Sequence, residues 1–167
     1  LPRMYEKLYT KDSSGSIPPD VAGHRSKKWI RDIIPLRIIE LTVFPNNYFY
    51  PDKIITRAQF ALVMQDVMVL INGEPSLSTI YIGSESRFPD VRNDYYAFNA
   101  ITLCIERGIM EADSETGDFN VDGQVSGVDA ILMLRKLKKI FLANNLSSSI
   151  FERLNDKSDL LSTPALF

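Results

Sequence analysis

Between Gly117 and Ala130 the chain reads GDFNVDGQVSGVDA, and its oxygen-bearing side chains are spaced as a hard cation would need them. With Asp118 as the first position of a loop, Asn120 and Asp122 follow at the third and fifth, and Gly123 stands where the chain must turn sharply. Gln124 would then offer its backbone carbonyl, Ser126 a hydroxyl or a bound water, and Asp129 a closing carboxylate at the twelfth position, with the apolar Val125 between them. Such a set suits Ca2+, which takes six to eight oxygen ligands. Carboxylates brought to one point repel by roughly 3 kcal/mol per pair at 5 Å and an effective dielectric of 20, a penalty that a cation or full solvation removes. Asp, Asn and Gly are also ordinary turn residues. The stretch therefore reads as a calcium site or as an acidic turn, and in both readings it leads into a helix at Ser126 to Asp129.

The elements that would position this loop come from the rest of the chain. At 167 residues it is long enough to bury roughly 70% of its unfolded surface, so no metal or disulfide is needed for bulk stability. A net charge of -2 argues against electrostatically driven nucleic-acid binding, which wants a strongly basic face. The single cysteine, Cys104, excludes an internal disulfide. No apolar run reaches the roughly 18 residues of a membrane span. The chain opens on Leu1 rather than methionine, which suggests a fragment or processed product of a longer protein.

Apolar residues at Trp29, Ile33, Leu36 and Ile39 predict a helix through KKWIRDIIPLRIIEL, with Pro35 kinking it or delaying its start. Thr56 is a candidate N-cap for RAQFALVMQDVMVLI, which is apolar almost all round and belongs at the centre of a domain. Residues 72–87 form a polar connector with one strand-like piece, TIYIG. The pattern then returns. Asp90-Val91 echoes Asp20-Val21, Tyr95 stands for Trp29, Phe119 for Phe49, Asp122 for Asp52 and Ser126 for Thr56. The helix in VDAILMLRKLKKIFL matches the first buried helix, and the chain divides into a flank (1–19), a first repeat (20–71), the connector (72–87), a second repeat (88–142) and a tail (143–167). The expected fold is mainly α: two helix–loop–helix repeats packed around buried central helices. Short helices are also expected within 2–9 and 148–156.

The repeat resembles the S-layer homology module. The first copy carries the resemblance in Asp20-Val21, Trp29, FYPD (Phe49 to Asp52) and ITRAQF (Ile55 to Phe60), and the second in FPDV (Phe88 to Val91), Tyr95 or Tyr96, and ERGI (Glu106 to Ile109). The resemblance implies a non-catalytic binding module of the bacterial cell envelope or cell surface that attaches a larger protein to anionic wall polysaccharide or peptidoglycan. It also implies that Arg57 lies at the glycan groove, with Thr56, Gln59 and Trp29 as further contacts. Gln59 replaces the family's Glu, and in the second copy the arginine position is Gly127. A guanidinium suits this task because it forks two hydrogen bonds onto a carboxylate and keeps its charge. The segment from Asp118 to Leu137 is in turn similar to a single dockerin-type calcium segment. That likeness implies an alternative: a calcium-stabilised protein–protein module, with Asp118, Asn120, Asp122, Gln124, Ser126 and Asp129 as ligands, binding a protein partner or a second copy of the chain.

Other reactive residues have plainer readings. His24 sits in a polar loop, and Cys104 reads as a small buried thiol. Arg135, Lys136, Lys138 and Lys139 read as a solvated face near a helix C-terminus, where cations are favoured. Tyr48, Phe49 and Tyr50 read as residues that close the core beneath their loop. No nucleophile–base pair or glycine-rich phosphate loop supports catalysis.

Overall fold

The computed structural model describes residues 17–143, so the short helices expected within 2–9 and 148–156 lie outside the described residues. The fold is mainly α. Among the described residues there are four α-helices, α1 (Lys27–Ile33), α2 (Arg57–Asn72), α3 (Phe98–Glu106) and α4 (Gly127–Ala143), joined by loops and short 3-10 turns, with no strand. The chain divides into two compact units, Leu1–Ile55 and Thr56–Phe167.

In the first unit the predicted long helix breaks into three pieces. α1 stops at Ile33, a 3-10 turn covers Ile34–Leu36, and a second covers Ile39–Leu41. Pro35 lacks a backbone donor and its ring clashes with the preceding turn, so the α-helix cannot run through it. Arg37 then reverses the chain in the left-handed region at φ 55°. Val21 and Ile30 are buried, and the carboxylate of Asp20 reaches across to accept from the amides of Phe49 and Tyr50 at 2.6–3.2 Å. His24 accepts from the Ser26 amide through Nδ1, which leaves Nε2 to donate to Asp52 at 3.2 Å.

The second unit is built on α2. Its start is a complete capping box: the Thr56 hydroxyl accepts from the Gln59 amide, and the Gln59 side chain accepts from the Thr56 amide. Its end is Gly73 in the left-handed region at φ 66°, whose N–H returns to the carbonyl of Val69. The expected central position is met, with Ala58, Phe60, Ala61, Val63, Met64 and Met68 buried. α3 packs against α2 and is apolar on nearly every face, with Phe98, Ile101 and Leu103 buried. It ends at Glu106, and beyond it Gly108, φ 66°, turns the chain so that the Ile109 amide bonds back to Cys104. Gln65 and Asn99 are buried polar groups that satisfy one another. The Asn99 amide donates to Gln65 and to the Leu77 carbonyl, and its oxygen accepts from the Tyr81 amide. Cys104 is buried against the Ala61 carbonyl, and desolvation pushes its thiol well above the usual range, as the plain reading expects.

Three expectations need correction. TIYIG is a run of turns after the 3-10 segment Pro75–Ser78, not a strand: Ile80 and Ile82 are exposed, so no apolar face holds an extended conformation there. α4 is not a buried central helix among the described residues. Only Leu137 and Phe141 are buried, whereas Val128, Ile131, Leu132 and Leu134 are exposed. Tyr48 and Tyr50 do not close a core either; both are exposed, and of the three aromatic residues only Phe49 turns partly inward.

The repeat is visible in the backbone. Asp90 accepts from the amides of Phe119, Asn120 and Val121, as Asp20 accepts from Phe49 and Tyr50. Asn47 (φ 68°) and Tyr50 (φ 57°) have counterparts in Gly117 (φ 78°) and Asn120 (φ 60°). Each loop is therefore a left-handed turn clamped by an aspartate 29 or 30 residues upstream. A left-handed backbone suits Gly and Asn, whereas for tyrosine it costs on the order of 1–3 kcal/mol.

Candidate functional site: the groove beside Arg57

The loop 118–124 turns at Asn120 to Gly123, and its amides and carbonyls are used differently. Its amides face Asp90. Its alternate carbonyls face the start of α2: Phe119 accepts from Arg57 Nε at 2.8 Å, Val121 from the Ala58 amide at 3.1 Å, and Gly123 from the Arg57 amide at 2.7 Å. Thr56 and Gln124 complete the junction as an isolated antiparallel bridge. These contacts satisfy the orphan amides of the first turn of α2, which would otherwise need a ligand or water.

The guanidinium of Arg57 is held on three sides. Nε reaches Phe119, Nη2 donates to the carbonyl of Glu111 at 2.6 Å, and the plane lies 4.7 Å from the centroid of the Phe119 ring. Phe119 is itself buried and packs edge-on against Phe88. Desolvation lowers the pKa of Arg57, while Asp129 and Asp90 oppose that shift. These carbonyls use two of the five N–H donors of the arginine, and Arg57 also lines the adjoining groove.

That groove has a volume of about 440 Å³. Ile109, Met110, Leu132 and Met133 form its apolar floor, and its polar rim carries Arg57, Arg135, Lys136 and Lys139 against Glu111 and Asp129. Lys136 Nζ is bonded to Glu111, and this pairing holds the Glu111 carboxyl below the usual range. Asp129 bonds the hydroxyl of Ser126, whose oxygen accepts in return from the Asp129 amide, which caps α4. The rim thus has four cations to two carboxylates, and both carboxylates already have partners.

The structure distributes the sequence-derived candidates. Arg57 stands at the groove. Thr56 and Gln59 close the capping box of α2, the side chain of each accepting from the backbone amide of the other. Trp29 belongs to the other compact unit, half-buried on α1, with Lys28 Nζ 4.8 Å over its ring. Arg135, Lys136 and Lys139 are exposed, as a solvated face requires, and they also line the groove. Glu111 and the apolar floor escaped sequence reasoning. Their only sequence signal is the apolar pair after ERG, and the pairing of Glu111 with Lys136 spans 25 residues.

The calcium reading finds no support in this arrangement. Among the described residues no group of three or more His, Cys, Asp or Glu side chains is close enough to hold a metal ion. The carbonyls of Phe119, Val121 and Gly123 accept from Arg57 and Ala58, the Asp129 carboxylate accepts from the Ser126 hydroxyl, and the backbone N–H of Asn120 donates to Asp90. The assignment of Asp118, Asn120, Asp122, Gln124, Ser126 and Asp129 to a calcium ion therefore gains no support from the described residues. The guanidinium of Arg57 supplies positive charge to the carbonyl edge of this loop.

No helix among the described residues is long and apolar enough to cross a membrane. No curated protein and no solved structure matches the chain significantly. In sequence the chain is similar to the S-layer homology domain, whose family model matches residues 41–61 and 87–131. These two stretches contain both sides of the Arg57 junction, the start of α2 and the loop 118–124.

Proposed function

We propose that this chain is a non-catalytic module that attaches a larger protein to an anionic polymer of a bacterial cell wall, and that the polymer is held in the groove beside Arg57. The observation that carries this reading is the cationic rim of that groove, placed next to the arginine of the motif that resembles the family's glycan-binding arginine. A carboxylate or phosphate on the polymer would take the outward donors of Arg57 in a forked contact, with Arg135 and Lys139 supplying further positive charge. The apolar floor of Met110, Leu132 and Met133 suits the carbon face of a sugar ring.

Co-sedimentation with purified wall sacculi tests this. The double variant Arg135→Glu, Lys139→Glu changes only exposed side chains, so its melting temperature should stay within about 2 °C of the parent. Its affinity for sacculi should fall at least tenfold, about 1.4 kcal/mol. Unchanged sedimentation of that variant would remove the groove from the binding site.

A further inference from the structure

The first compact unit carries a second surface with different chemistry. Phe44, Tyr48 and Tyr50 are all exposed, at 37%, 42% and 43%, yet they are arranged rather than scattered. Tyr50 lies 5.3 Å from Phe44 edge-to-face and 5.8 Å from Tyr48 in a stacked pair. Together with Asp52 and Lys53 they border a hollow of about 680 Å³.

The loop that bears them is fixed at nearly every residue. Asp20 clamps the amides of Phe49 and Tyr50. The Phe44 amide bonds the Tyr48 carbonyl, the Asn47 amide bonds Phe44, and the Lys53 amide bonds Tyr50. Asn46 accepts from the Tyr48 amide and donates to the Tyr50 hydroxyl. Tyr50 nevertheless holds a left-handed backbone, φ 57°, where the matching residue of the second repeat is Asn120, φ 60°. The turn needs a residue that tolerates this conformation, and asparagine would serve with less strain. Burial does not account for the tyrosine, because its ring faces solvent. Strained backbone of this kind clusters at functional surfaces.

We infer that Phe44, Tyr48 and Tyr50 form a preorganised platform for an uncharged pyranose ring of the wall glycan. The inference rests on the reading of the chain as a wall-binding module, and it adds a subsite separate from the cationic groove. Stacked tyrosines offer a broad apolar face with hydroxyls at the edge, which complements a sugar ring that is apolar on one face and polar around its rim. The rim groups are mixed. Asp52, oriented by His24, offers a carboxylate oxygen to a sugar hydroxyl, and Lys53, whose ammonium is 5.1 Å from the Phe44 centroid, donates to another. A donor and an acceptor side by side match hydroxyl groups, which do both. With Asp20 and Asp52 both on the border, a carboxylated sugar is disfavoured here.

The test is a titration of the full chain with three trisaccharides, chitotriose, cellotriose and trigalacturonate, followed through the aromatic NMR signals of Tyr48 and Tyr50. At least one neutral trisaccharide should shift these signals saturably, and trigalacturonate should leave them unmoved. Tyr50→Asn places at this turn the residue the second repeat already uses, so its melting temperature should be equal or higher while its affinity for the neutral sugar falls at least tenfold. Tyr48→Ala should weaken binding similarly. Absence of a shift with both neutral sugars, a response to trigalacturonate alone, or full binding by Tyr50→Asn would each overturn the platform. The charge-reversed groove variant keeps the neutral-sugar response while losing sacculi if both ideas hold, so failure of one is distinguishable from failure of the other.

Discussion

Arg57→Ala is expected to destabilise the second compact unit by roughly 3 kcal/mol, because it removes two charge-assisted bonds to carbonyls and a cation–π contact worth about 0.5–1 kcal/mol. The Phe119 carbonyl belongs to a buried residue and would be left short of a partner. Urea unfolding should show a lower midpoint, and the melting temperature should drop by about 10 °C for a domain of this size. Sacculus binding should fall as well, since the same guanidinium faces the groove. Arg57→Lys separates charge from geometry. A single ammonium restores the positive charge but not the planar fork that spans Phe119 and Glu111, so recovery should be partial in both assays. Full stability of Arg57→Ala would mean that the loop does not depend on this side chain.

Asp90→Ala should cost roughly 2 kcal/mol, because three amides lose a shared acceptor and only two of them, on Asn120 and Val121, lie where water can replace it. The amide of Phe119, a buried residue, would be stranded. Asp90→Asn retains one acceptor oxygen and should lose about half as much. Protection of the Phe119 to Val121 amides against hydrogen exchange should decrease in the alanine variant before that of α2 does. Equal protection in parent and variant would show that the clamp is dispensable.

Much of this was legible in the sequence, for reasons visible in particular residues. The clamp keeps its spacing in both copies, Asp20 to Phe49 and Asp90 to Phe119, because the same turn has to be reached by the same carboxylate. The start of α2 was legible because Thr56 and Gln59 form a local motif that needs nothing distant. What failed were inferences that depend on the neighbours a segment finds. The apolar pattern of α4 announces a helix but not what covers it, and the exposed Ile131 and Leu132 follow from packing that no periodicity encodes. The acidic ladder from Asp118 to Asp129 has the spacing of a calcium loop. Its carbonyl edge nevertheless goes to Arg57, a residue 62 positions away from Phe119. Tyr48 and Tyr50 read as core because they are aromatic, yet Asp20 holds their loop so that the rings face outward. The groove shows the same limit, since Arg57, Glu111 and Lys136 meet only after α2, the end of the third helix and α4 are assembled.

On the proposed reading, the module recognises an anionic wall polymer through its cationic groove. Its most direct test compares sedimentation of the unmodified protein with sacculi before and after acid stripping of the anionic polymers that decorate peptidoglycan. The account predicts strong binding to intact sacculi, weakening as salt is raised because the contacts are ionic, and at least a tenfold loss after stripping. Undiminished, salt-insensitive binding to bare peptidoglycan would contradict it.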